Sequence, residues 1–190
     1  MASTRAPATG EAGALARVAA PLRRRAHDRA LVEAWRRAHP TVARHAPPWV
    51  RSLVIEAESL LPSVAAGDAP ARAALVPGGW RDALVALPGL ALATGRSDTA
   101  RALLERASRA FDCGLLPDPG VTRPRAAAEA PLWFVLAVRA YHEHARDDAF
   151  LGAMLPVLED TLGWFERGTR YGISVNPGTD CCARATARHR

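Results

Sequence analysis

Two stretches of this chain, about 50 residues apart, are built alike, and that recurrence limits the fold more than any other feature. In the first, a helical run from Arg81 to Ala93 meets Thr94-Gly95-Arg96-Ser97-Asp98, and a second run continues to about Phe111. In the second, a run from Ala130 to Ala145 meets Arg146-Asp147-Asp148, followed by a run to about Phe165. Ser97 and Asp147 are the predicted N-caps, because their side-chain oxygens can accept from backbone N–H groups that a first helical turn leaves unpaired. Each copy is a helical hairpin plus a loop. Stacked hairpins of this length suit an open solenoid or a closed double ring of helices. The loop Asp112–Glu129 decides for the ring. Solenoids keep their turns short, whereas this loop is long and carries Pro117, Pro119 and Pro124. Long loops on one face of a helical scaffold commonly serve a site. Strand-like alternation is confined to Tyr171–Val175, so the expected fold class is all-α.

Ahead of the repeat, the chain reads as a helical N-terminal region. From Ala14 to about His39 the positions Leu15, Val18, Leu22, Leu31, Val32 and Trp35 are apolar, with Pro21 expected to break or restart the helix. Pro40 and Pro47-Pro48 mark a loop. A second helix is predicted from Trp49 to Ala66, kinked at Pro62, before a Gly/Pro-rich loop over 67–79.

Charge is unevenly distributed. All 25 basic residues are Arg. Residues 1–51 hold ten Arg against three acids, and the last ten residues hold three Arg and no acid. Residues 52–180 hold twelve Arg against sixteen acids. The basic ends could attract nucleic acid, but Arg23-Arg24-Arg25 and Arg36-Arg37 alternate with helical apolar residues and read better as a solvated face. No nucleic-acid partner is expected. The longest apolar runs are too short to cross a membrane, and no signal peptide is apparent. Three Cys give no disulfide framework, so a cytoplasmic location is the default expectation. Cys113 reads as a small buried hydrophobe. His142 and His144, two apart on a helix, point to different sides, and Cys181-Cys182 lacks a second ligand pair. No metal and no cofactor are expected.

The residues best suited to chemistry are Trp80-Arg81-Asp82, ahead of an apolar helical run. Trp80 offers a flat face, Arg81 a planar fork of donors, and Asp82 paired acceptors. That is a sugar-holding set. The bland alternative is an ion pair at a helix start. Glu129 and Trp133 open the second hairpin, where the carboxylate could accept from a hydroxyl. The indole reads equally as a sugar platform or as core.

The run Arg81-Asp82-Ala83-Leu84-Val85-Ala86-Leu87-Pro88-Gly89-Leu90 resembles glycogen debranching enzymes of the amylo-alpha-1,6-glucosidase type. The resemblance continues through Ala93-Thr94-Gly95-Arg96, Gly114-Leu115-Leu116-Pro117, Ala130-Pro131-Leu132-Trp133-Phe134 and Arg167-Gly168-Thr169-Arg170-Tyr171-Gly172-Ile173. It implies helical hairpins forming part of an (α/α)6 toroid, here incomplete, and a substrate subsite including Arg81, Asp82, Trp80, Glu129 and Trp133. Two positions depart from the pattern. Trp80 stands one place from the family's Trp, and Glu129 stands where the family has Asp. The resemblance also implies a catalytic acid in a Trp-Met-Asp segment and a base much later. Neither is found here, so no catalytic residue is assigned.

The expected organisation is a disordered 1–12, a helical region 13–73, a partial (α/α)6 glycoside hydrolase domain 74–178 and an aberrant tail 179–190, read as a frame change near codons 178–181. The expected function is that of a glycosidase fragment acting on α-1,6 branches of glycogen or related α-glucans, inactive alone. The expected partner is an α-glucan or oligosaccharide, with self-association through apolar faces left exposed by an incomplete ring. The alternatives are another (α/α)6 glycosidase, trehalase-like or mannosylglycerate-hydrolase-like, or a non-catalytic helical scaffold.

Overall fold

The computed structural model describes residues 9–60, 79–117, 129–175 and 182–184. The chain divides into two compact units, residues 1–56 and 57–190. In the first, helix α1 (Thr9–Ala38) is followed by the single turn α2 (Pro40–Ala43) and by α3 (Pro48–Leu60), whose last residues belong to the second unit. Helix α1 begins at Thr9, and residues 1–8 lie outside the described residues. One expectation is corrected here: the helix runs through Pro21 without a break. Proline removes one intrahelical bond, but the Ala-, Leu- and Arg-rich sequence around it has high helix propensity on both sides. A small core forms from Val32, Trp35 and Val54, with Trp35 stacked on His39 at 5.9 Å. The predicted end of α3 at Ala66, its kink at Pro62 and the loop 67–78 lie outside the described residues.

The second unit contains the repeat. Helix α4 (Gly79–Leu87) passes into a π-helical turn (Pro88–Leu92), and α5 (Ser97–Ser108) follows. Helices α6 (Glu129–Ala145) and α7 (Asp148–Arg167) form the second hairpin. The buried residues of α4 are Trp80, Ala83, Leu84 and Leu87; those of α5 are Ala100, Leu103, Leu104 and Ala107. Both sets follow i, i+3, i+4, i+7, the stripe that one helix face presents. They join Phe134, Val138, Tyr141 and Phe150 in one core.

The π turn has a local cause. Pro88 has no N–H to donate to the preceding turn, and the chain widens there instead. Ala93 N–H then reaches Pro88 O at 2.9 Å, and Arg96 N–H reaches Ala91 O at 2.8 Å. Gly95 turns the chain with φ +77°. The carbonyls left at this helix end are taken up by side chains. Thr94 Oγ1 donates to Leu90 O at 2.6 Å, and Arg96 Nη2 donates to the same oxygen at 3.1 Å. Burial pushes the Arg96 guanidinium below its ordinary pKa, opposed by the charge of Glu58 at 3.7 Å.

Asp147 caps α7, accepting from Phe150 N at 2.9 Å as expected. Ser97 does not cap α5. The cap position is Arg96, without a side-chain bond, and Ser97 is the first helical residue. Helix α5 thus begins one residue earlier than expected, after Arg96, whose side chain bonds Leu90 and Thr94.

Beyond α7, strand β1 (Ile173–Val175) pairs antiparallel with β2 (Cys182–Arg184), placing Val175 opposite Cys182. The expected strand at 171–175 is therefore present from Ile173, and part of the segment set apart as aberrant is its partner. Apart from this hairpin and the isolated Asp112–Leu115 bridge, the described residues form no strands. Cys113 is half-buried, not enclosed, with φ +49°, because it sits at the tip of that bridge. No helix among the described residues is long and apolar enough to cross a membrane.

Candidate functional site

Helices α4 and α6 start side by side. Arg81, in the first turn of α4, donates from Nε to Glu129 Oε2 at 2.8 Å, and Glu129 is the first residue of α6. Arg81 Nη1 donates to Asp82 Oδ1 at 3.1 Å. The N-termini of the two packed helices therefore adjoin. Both ends carry partial positive charge from unpaired N–H groups, which favours the two carboxylates held there. The hydrogen bond that Arg81 donates to Glu129, and then the charge of Glu129, raise the Arg81 guanidinium above its ordinary pKa. The Arg81 and Glu129 side chains are 50% and 64% exposed, so the trio is an open polar cluster and not a buried ion pair.

The structure thus brings Arg81, Asp82 and Glu129 together. Trp80 is not with them. It is 2% exposed and lies in the core, so its expected role as a stacking face is corrected. The helical period explains this: Trp80 shares its face with Ala83 and Leu84, whereas Arg81, one residue on, is turned about 100° outward. Trp133 lies one turn after Glu129 on the same side of α6, half-buried against the core.

A second node joins the hairpins through other helix starts. Asp147, besides capping α7, accepts from Arg101 Nη1 and stands 3.4 Å from the Tyr141 hydroxyl. Arg101 also lies over the Phe150 ring at 5.2 Å. Burial first, then the charge of Asp147, raise the Tyr141 pKa. Sequence reading missed both cross-hairpin pairs. The signal was available: Arg81 and Glu129 are 48 residues apart, and Arg101 and Asp147 are 46 apart, both close to the hairpin repeat. His142 Nε2 lies 2.8 Å from Asp148 Oδ1, at the turn between α6 and α7. Among the described residues no three His, Cys, Asp or Glu side chains are grouped to hold a metal.

The comparison with known families covers both hairpins. The family model described as amylo-alpha-1,6-glucosidase matches residues 53–187. The chain belongs to the amylo-alpha-1,6-glucosidase family. The matched region starts within α3, before the first family-like motif, and includes β2. No curated protein and no solved structure matches the chain. The second unit is thus an all-α, debranching-type glycosidase region, with its helical hairpins side by side.

Proposed function

We propose that this amylo-alpha-1,6-glucosidase-family chain binds the end of an α-glucan, such as a glycogen branch, with Arg81 and Asp82 as the direct sugar contacts. The observation that carries the reading is the convergence of Arg81, Asp82 and Glu129 at adjoining helix starts. A neutral polyol needs donors and acceptors in fixed relation. A guanidinium with N–H groups beyond the two used, beside a carboxylate with free lone pairs, provides both. Trp133, one turn along from Glu129 and half-buried, is the aromatic nearest in sequence for the apolar face of a sugar.

Hydrolysis is not part of this proposal. Inverting cleavage needs a carboxylic acid and a carboxylate about 6.5–9.5 Å apart, with room for a water between the base and the sugar. Asp82 and Glu129 both engage the same guanidinium, which suits them to hold Arg81 and leaves Asp82 to accept from hydroxyls. We assign the chain a glucan-binding role and expect no turnover of α-1,6-branched dextrin by the 190-residue protein.

Calorimetric titration with maltotetraose tests the reading. Binding that weakens about tenfold or more in Arg81→Ala and in Asp82→Ala, with unchanged circular dichroism, is the expected result. Absence of binding by the folded wild type would overturn it in favour of a helical interaction scaffold. Tighter binding of trehalose or mannosylglycerate than of maltotetraose would move the assignment to another (α/α)6 glycosidase.

A further inference from the structure

We propose that Glu129 is a positioning residue: it grips the Nε edge of Arg81 across the two hairpins and holds the guanidinium toward the sugar, and it makes no sugar contact of its own. The inference rests on the α-glucan reading above. Arg81 is a long side chain, half exposed, and would otherwise sample many rotamers at an entropic cost on binding. Asp82 cannot fix it alone, because adjacent residues on a helix diverge in direction and Asp82 meets a single Nη1 hydrogen. Glu129 supplies the second point of restraint, from a different helix and a different edge of the guanidinium.

Two held edges define a plane. Nε faces Glu129 and Nη1 faces Asp82, while among the described contacts Nη2 makes no hydrogen bond. A planar group restrained in this way presents its remaining N–H groups in one direction, which is preorganisation for a hydroxyl pair. The restraint exists only when the two hairpins are docked, so the sugar contact is coupled to the α4–α6 packing.

A double-mutant cycle on the full chain separates positioning from direct contact. Maltotetraose affinity is measured for wild type, Glu129→Ala, Arg81→Ala and the double variant. Glu129→Ala is expected to weaken binding about fivefold or less, the scale of an exposed charge pair. Glu129→Gln, which keeps an acceptor for Nε–H, is expected to recover part of that loss. The double variant is expected to bind no more weakly than Arg81→Ala. Losses that multiply in the double variant would show that Glu129 touches the sugar independently and would overturn the inference while leaving the α-glucan reading intact.

A second readout needs no sugar. The Arg81 Nε–H resonance in a 15N-resolved proton spectrum is expected to shift and exchange faster in Glu129→Ala; an unchanged resonance would also overturn the inference. Absence of binding by the wild type overturns the α-glucan reading and the positioning role together, and the Nε–H resonance then reports the clamp as a structural contact alone.

Discussion

At the scale of the residue, a one-position step decides whether a side chain packs or serves the surface. Trp80 and Arg81 are neighbours in sequence, yet one is in the core and the other is half exposed. The same economy of space governs Gly114. It has φ +78°, and a Cβ built there would lie 2.3 Å from Trp164 Cβ. Gly114→Ala combines left-handed strain with a clash against a side chain fixed at its root. We expect it to destabilise the second unit by about 2–4 kcal/mol, read as a lower urea midpoint. Tyr141 allows a titration test. Its folded pKa is raised, chiefly by burial. The stabilisation this implies is intact below about pH 10, the ordinary tyrosine value, and is lost as pH rises through the folded pKa. Thermal midpoints are expected to fall above about pH 10 in wild type and to fall less steeply in Tyr141→Phe; parallel curves would assign the alkaline loss to other groups.

At the scale of the element, each helix is terminated by its own local chemistry, and the terminations also join the helices to each other. Asp147 caps α7 and in the same position pairs with Arg101 of α5 and approaches Tyr141 of α6. Asp147→Ala is expected to cost about 1–2 kcal/mol for the lost cap. It should also abolish the coupling between Arg101→Ala and Tyr141→Phe in a double-mutant cycle; independent effects in the wild-type background would limit Asp147 to local capping. Prolines carry less information than their reputation suggests. Pro21 and Pro156 both lie inside helices, whereas Pro88 coincides with the widened π turn. What separates them is the strength of the surrounding helical sequence and packing, which no single proline reveals.

At the scale of the whole molecule, the hairpin repeat is the organising fact. The second unit retains open apolar positions on its helices: Leu132 and Leu136 of α6 are each 49% exposed, and Leu162 of α7 is 60% exposed. On a helical stack such positions are where a further hairpin or another molecule would pack. We expect concentration-dependent self-association, measurable by sedimentation velocity and reduced by Leu132→Gln/Leu136→Gln; a monomer at all concentrations would discard this expectation.

The hairpins, their turns, the Asp147 cap and the family were legible in the amino-acid sequence, because each is written in local terms: period, cap residue, turn residue and contiguous motif. The candidate pair Arg81 and Asp82 was legible for the same reason. Three things came only with tertiary structure. Glu129 joins Arg81 because the starts of two packed helices adjoin, a relation between residues 48 apart that no local pattern encodes. Trp80 is withdrawn into the core because the α4 face that carries it is the one that packs. Cys182–Arg184 become a strand because Ile173–Val175 offers an edge. Local sequence sets what each segment can be; which groups meet depends on how the segments dock, and docking is decided by apolar burial summed over the whole unit.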